Sequence, residues 1–132
     1  MKLAAVALAM FLVSGCSASE PPPCPFRGEA DYAASAGCLV LVHGRILVVE
    51  SSFGGITPPG GKSRPGESAQ CAAHRETWEE TGLDLRPGRL LHKFDTGFYL
   101  YACDIHADSG AIEAGSPTEV RRGFWLPVTD FD

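Results

Sequence analysis

The sequence predicts an α/β sandwich, a mixed sheet with a helix packed on it. Three observations carry that expectation. Two β-branched apolar runs, Gly37–Val42 and Ile46–Glu50, flank a short polar turn, the pattern of a β-hairpin. Ser68–Thr81 holds neither Gly nor Pro and places Ala69, Ala72, Ala73 and Trp78 at helical spacings. Phe98–Ile105 and Glu119–Leu126 supply later strands, the first opening on the β-prone Phe98-Tyr99-Leu100-Tyr101. A length of 132 residues allows one domain. A chain 45% hydrophobic and 20% charged is not wholly disordered, and a formal charge of -5 argues against a nucleic-acid polymer as partner.

The elements follow in chain order. Met1-Lys2 gives one positive charge, and Leu3–Val13 is an unbroken apolar run of eleven residues. Eleven helical residues rise about 16 Å, roughly half of a bilayer's hydrocarbon core, so the run reads as a secretory signal rather than a membrane span. Val13-Ser14-Gly15-Cys16 closes the run and resembles the lipobox of bacterial lipoproteins. The resemblance implies a signal peptide over residues 1–15 and lipidation of Cys16 after cleavage. Residues 16–33 are then a lipidated tether, in which Pro21-Pro22-Pro23 and Pro25 form a semi-rigid polyproline spacer. The implied location is the bacterial cell envelope, membrane-anchored through Cys16 and facing the periplasm, with Ser17 favouring the outer membrane over the inner.

Residues 34–132 remain for the domain. His43-Gly44-Arg45 turns the first hairpin. Ser51–Gly66 holds five glycines and three prolines and reads as a loop. Gly82 stops the helix, Leu83-Asp84-Leu85 and Leu90–Lys93 read as short strands, and Ala107–Pro117 reads as a loop.

With Cys16 assigned to lipid, Cys24, Cys38, Cys71 and Cys103 remain. Four cysteines allow three pairings, and an oxidising compartment favours one or two bridges. Cys24–Cys38 is the preferred bridge, since both lie near the entry to the domain. The alternative is that Cys38, Cys71 and Cys103 are small buried apolar residues. No C-x-x-C spacing occurs, which argues against zinc.

The chemistry concentrates between Gly61 and Leu83, in GKSRPGESAQCAAHRETWEETGL. Glu76, Glu79 and Glu80 stand at i, i+3 and i+4, so their side chains share one helical face. Carboxylates that close repel and raise one another's pKa. A hard divalent cation removes that penalty. All-oxygen donors suit Mg2+ or Mn2+, and Mg2+ takes one or two carboxylates together with waters and substrate phosphate oxygens. The bland reading is an exposed acidic helix face.

The full spacing resembles the Nudix box, G-x5-E-x7-R-E-U-x-E-E-x-G-U with U a bulky apolar residue. Gly61 is followed by Glu67, then Arg75-Glu76, Thr77, Trp78, Glu79-Glu80, Thr81, Gly82 and Leu83. Thr77 departs from the aliphatic position, with a methyl that can still pack inward. The resemblance implies a Nudix-type α/β/α sandwich and a Mg2+- or Mn2+-dependent hydrolase cleaving a diphosphate linkage in a nucleoside diphosphate derivative or related diphosphate compound, a small-molecule substrate. It implies that Glu79 and Glu80 bind metal and that Glu76 is a ligand or the base acting on the attacking water. Glu76 and Glu79 are thus the catalytic candidates. Gly60 would offer its carbonyl to the metal, and Glu119 would be a further acidic ligand. Arg75 is implied to be structural, pairing with a box glutamate such as Glu67, while Gly61 and Gly82 permit the loop and helix-end geometry. The competing readings are a catalytically silent Nudix binding domain and a structural envelope lipoprotein.

His74 reads as a surface residue and His43 as part of a turn. Trp125 resembles a core aromatic of the family's late strand. Phe53, Phe98 and Tyr99 are candidates to stack on a base, with burial the commoner role. Family domains continue past the late strand into a C-terminal helix. This sequence stops at Val128–Asp132, so that helix is expected to be missing.

Overall fold

The computed structural model describes residues 20–106, 112 and 120–131. The signal run, Cys16 and Glu119 lie outside the described residues. In order the elements are β1 (Ser35–Leu39), β2 (Leu41–Val42), β3 (Arg45–Ser51), β4 (Ile56–Thr57), β5 (Gly60–Lys62), α1 (Ala69–Thr81), β6 (Leu85–Lys93), β7 (Phe98–Ile105) and β8 (Val120–Pro127), then a 3-10 turn over Val128–Phe131. One four-stranded sheet has the order β5-β1-β7-β6. It is mixed: β1 runs parallel to β7 but antiparallel to β5, and β6 is antiparallel to β7. The second sheet is built on β3, which pairs antiparallel with β2, β4 and β8. α1 packs on β1, β5, β6 and β7 and also touches β8. The expected α/β sandwich is therefore present, with a single α-helix among the described residues.

The apolar run expected as one hairpin arm is divided between the two sheets. Ala36, Cys38 and Val40 are buried. β1 follows β7 over Ser35–Leu39, and only Leu41 and Val42 turn back to pair with Ile46 and Arg45. The loop expected over Ser51–Gly66 likewise contains two short strands, β4 and β5. The two strands expected around Leu83–Lys93 are one, β6, whose pairing with β7 slips between Pro87 and Leu90 and again before His92. A proline is tolerated there because β6 is an edge strand.

α1 begins and ends where its caps dictate. Ser68 Oγ accepts from the Cys71 N–H at 3.1 Å, and Gly82, at φ 72°, takes the left-handed cap position with its N–H on the Trp78 carbonyl at 2.8 Å. Ala69, Ala72 and Ala73 are fully buried, as their spacing implies. Trp78 is only half-buried. It stands nine positions from Ala69, about half a turn round at 100° per residue, and so belongs to a different face. Burial reaches several faces of α1, because both sheets touch it.

The cysteine expectation is corrected. The bridges are Cys24–Cys71 and Cys38–Cys103, not Cys24–Cys38. Cys38 pairs in register with Tyr101 on β7, and Cys103 lies two residues further along that strand. This places the two thiols within reach inside the core, while Cys24 lies against the first turns of α1. The loops closed span 47 and 65 residues, each worth about 4 kcal/mol in the chain-entropy description. Cys24 is not the only fastening ahead of Ala34. The Asp31 carbonyl accepts from Ala69 N–H at 2.7 Å, and its carboxylate accepts from the Tyr101 hydroxyl at 2.7 Å and from Gln70 Nε2 at 3.1 Å. Burial foremost, reinforced by Asp31, pushes the Tyr101 hydroxyl well above the usual tyrosine range. Among the described residues no helix is long and apolar enough to cross a membrane.

Candidate active site

The loop that leads into α1 is held by its own residue order. Pro65 and Gly66, at φ 77°, occupy the middle of a four-residue turn closed by the Glu67 N–H on the Arg64 carbonyl at 3.0 Å, the order of a type II turn. The Glu67 carboxylate returns to accept from the Arg64 N–H at 3.0 Å. Glu67 is fixed in turn by Arg75 on α1: Nε donates to Oε2 at 2.8 Å and Nη2 to Oε1 at 2.9 Å. This is the bidentate fork that guanidinium and carboxylate make best. The expected Arg75–Glu67 pair is therefore in place.

Arg75 does more than that expectation assigned. Its Nη1 donates to Glu76 Oε1 at 2.9 Å and to both oxygens of Glu79 at 3.2 Å, and its Nη2 also donates to the Lys62 carbonyl at 2.9 Å. The Arg75 side chain is 8% exposed. A guanidinium so surrounded is held charged, its pKa raised first by Glu67. Reciprocally, the hydrogen bond from Arg75 holds the Glu67 carboxyl below the usual glutamate range. The stabilisation from this pair is present above the ordinary glutamate pKa of about 4.3. It is lost as pH falls through the lowered folded value.

β5 brings the backbone to the other carboxylates. The Gly60 N–H donates to Glu80 Oε1 at 2.9 Å. The N–H and C=O of one strand residue point the same way, and β5 is a sheet edge, so the Gly60 carbonyl faces the same side. Glu76 lies directly over Gly61. A Cβ built on Gly61 would stand 2.4 Å from the Glu76 carboxyl carbon, so only glycine leaves room for that side chain. Glu76 and Glu80 are buried, and Glu79, 34% exposed, is the open one. Arg64 approaches Glu79 from the solvent side, Nη2 to Oε1 at 3.7 Å.

The structure thus brings Gly60, Gly61, Glu67, Arg75, Glu76, Glu79 and Glu80 together, with Gly82 capping the same helix. Glu119 lies outside the described residues. Among the described residues no three His, Cys, Asp or Glu side chains converge to hold a metal by themselves, because Arg75 occupies the space between Glu67, Glu76 and Glu79. The set still fits a divalent cation by charge. Four carboxylates, three of them touched by Arg75 or Arg64 and Glu80 by the Gly60 N–H, stand against two guanidiniums and leave a formal -2. The missing donors are of the kind Mg2+ draws from backbone, water and substrate.

Other expectations resolve individually. His74 is buried rather than superficial, 1% exposed, with Nε2 2.8 Å from Asp84 Oδ1, because α1 is covered on that side as well. His43 sits in the β2–β3 turn at φ 49°. Trp125 packs against the core cluster, and Thr77 is fully buried, as inward packing requires. Phe53 is 93% exposed and far from a buried role. Phe98 lines a cavity of about 320 Å3 with Thr57, Pro58, Gly60, Phe94 and Leu100. That cavity shares Gly60 with the carboxylate site. Sequence reasoning missed Phe94, a large aromatic 45% exposed in the β6–β7 turn, and Arg64. Their signal was local: an aromatic beside a turn, and a cation in the loop that leads to the glutamates of α1.

A family model described as NUDIX domain matches residues 31–132. Curated protein sequences give no match. Solved structures share the fold at low identity. An ADP-ribose pyrophosphatase from Streptococcus suis is 20% identical with a TM-score of 0.61, over 70% of this chain and 71% of that one. A UDP-X diphosphatase is 20% identical with a TM-score of 0.63, over 80% of this chain and 55% of its own length. An Ap4A hydrolase from C. elegans is 22% identical with a TM-score of 0.58, over 75% of this chain and 82% of that one.

Proposed function

Since the chain belongs to the NUDIX domain family, we propose that it is a hydrolase that cleaves a diphosphate linkage in a small nucleoside diphosphate derivative, with Mg2+ or Mn2+ bound at Glu79 and Glu80. The observation that carries this reading is the carboxylate set on α1 and the loop before it, with Glu67, Glu76 and Glu79 held by Arg75 and Arg64 and Glu80 held by the Gly60 N–H, beside an apolar cavity.

The Gly60 carbonyl, on the Glu80 side of β5, completes the donors supplied by the protein, and Glu119 stands as a candidate for a further acidic ligand. When bound, the divalent cation lowers the pKa of water and offsets charge on the diphosphate. Glu76, kept beside the other two carboxylates by the Gly61 gap, serves as the base that takes a proton from the attacking water at a carboxylate oxygen. Arg75 holds Glu67, Glu76 and Glu79 in register and keeps the loop on the helix. The cavity lined by Phe94, Phe98, Leu100 and Pro58 receives the uncharged part of the substrate, since flat apolar walls suit a base or another ring.

The test is turnover of a panel suggested by the fold neighbours' names: ADP-ribose, UDP-linked compounds and Ap4A. Product release is expected with Mg2+ or Mn2+ and is expected to vanish with EDTA. Absence of turnover of every compound under all conditions would sink the reading.

We also propose export and lipid anchoring at Cys16, on the strength of the Leu3–Cys16 pattern. Two disulfides in a domain this small support an oxidising compartment. Replacing Cys16 by Ser is expected to move the protein from the membrane fraction to the soluble one. An unchanged distribution would remove the anchor.

A further inference from the structure

Arg64 and Arg75 both reach Glu79, yet they are mounted differently. Arg75 is buried, 8% exposed, and committed to three carboxylates and a carbonyl. Arg64 has a fixed backbone and an exposed, loosely paired side chain. Glu67 pins both its N–H and its carbonyl at 3.0 Å, while the side chain is 66% exposed and its guanidinium stands 3.7 Å from Glu79. An ion pair that long and that exposed is weak and easily exchanged. The partner is also the most open of the box carboxylates touched by an arginine, at 34%. A cation on a rigid turn, lightly held beside a carboxylate that a stronger cation would claim, has somewhere else to go. The charge of a diphosphate is the partner such a planar fork fits best.

We propose that Arg64 is a displaceable counter-ion that serves two partners in turn. Before the divalent cation arrives it is the outer of two counter-ions to Glu79, the inner being Arg75. Once the cation claims Glu79, the guanidinium turns outward and binds a phosphate oxygen of the substrate. Arg64 therefore opposes metal binding and favours diphosphate binding, opposite effects from one side chain. This inference rests on the divalent-cation hydrolase reading above.

The experiment is calorimetric titration of the full chain, first with Mg2+ alone, then with imidodiphosphate in saturating Mg2+, so that neither readout is turnover. Arg64→Ala is expected to bind Mg2+ about two- to fivefold tighter, the scale of an exposed ion pair. It is expected to bind imidodiphosphate roughly tenfold more weakly, the scale of a charge-assisted hydrogen bond. Arg64→Lys returns both values most of the way to wild type. Arg89→Ala removes one charge from β6, the opposite edge of the sheet from β5, and changes neither. If Arg64→Ala binds Mg2+ no tighter, or imidodiphosphate no more weakly, than wild type does, this inference fails while the hydrolase reading stands. If wild type itself binds no divalent cation, both fail together.

Discussion

Arg75→Met is expected to lose about 3–5 kcal/mol of stability, the cost of removing one partner from a buried ionic cluster. For a domain near 100 residues that lowers the melting midpoint by roughly 15 °C or more. The physical reason is that one buried guanidinium serves several carboxylates at once. Arg75 touches Glu67, Glu76 and Glu79 together, and Glu67 and Glu76 are 16% and 10% exposed at the side chain. Methionine replaces the aliphatic stem and leaves the carboxylates facing one another. A second measurement separates this from ordinary packing loss. Mg2+ stabilises whichever state binds it, and a divalent cation partly substitutes for the missing guanidinium. The variant's midpoint should therefore rise more on adding Mg2+ than the wild-type midpoint does. A variant that melts with wild type would show that the guanidinium does not hold the cluster. A variant that is destabilised but indifferent to Mg2+ would show that a divalent cation does not substitute for the guanidinium beside Glu79.

That cluster explains why the site was legible in the sequence and much of its surroundings was not. Gly61, Glu67, Arg75, Glu76, Glu79, Glu80 and Gly82 lie within one loop and one helix, so sequence spacing alone places them. Helical geometry puts Glu76 and Glu80 on one row, and the glycine-rich approach to Ser68 allows β5 to close on it. Features set by long-range packing were not available in that way. His74 reads as superficial from its neighbours, and its burial against Asp84 depends on cover that only the sheets supply. The cysteine pairing follows from β1 lying parallel to β7, a register that sequence separation does not reveal. The expected hairpin arm likewise looks like one strand in the sequence, because an apolar run does not say where a chain crosses from one sheet to another.

The same locality bears on the reaction. Glu76 and Glu80 face the edge of β5, whereas Glu79 faces Arg64 and solvent. Three glutamates that look equivalent as letters thus occupy unequal environments. The most open one suits a cation that must enter and carry substrate with it. The enclosed Glu76 suits a group that must be held still while a proton is transferred.

Gly61→Ala is expected to lower kcat by about 10^2 while leaving the melting midpoint within a few degrees of wild type. The added methyl would stand 2.4 Å from the Glu76 carboxyl carbon and 2.5 Å from Oε2, far inside contact distance. The end of a glutamate side chain moves more easily than a strand, so Glu76 yields and the fold survives. A reacting group displaced by about 1 Å costs on the order of 10^2 in rate. KM should change little, because Glu79, Glu80 and the aromatic cavity remain in place. The decisive comparison is with Glu76→Gln and with the double variant. If Gly61→Ala acts by moving Glu76, the two losses will not add: once the carboxylate is gone, its displacement has nothing left to remove. Additive losses would mean that Gly61 acts through the loop backbone instead. A Gly61→Ala enzyme with wild-type kcat would mean that the position of the Glu76 carboxylate does not govern the proton transfer.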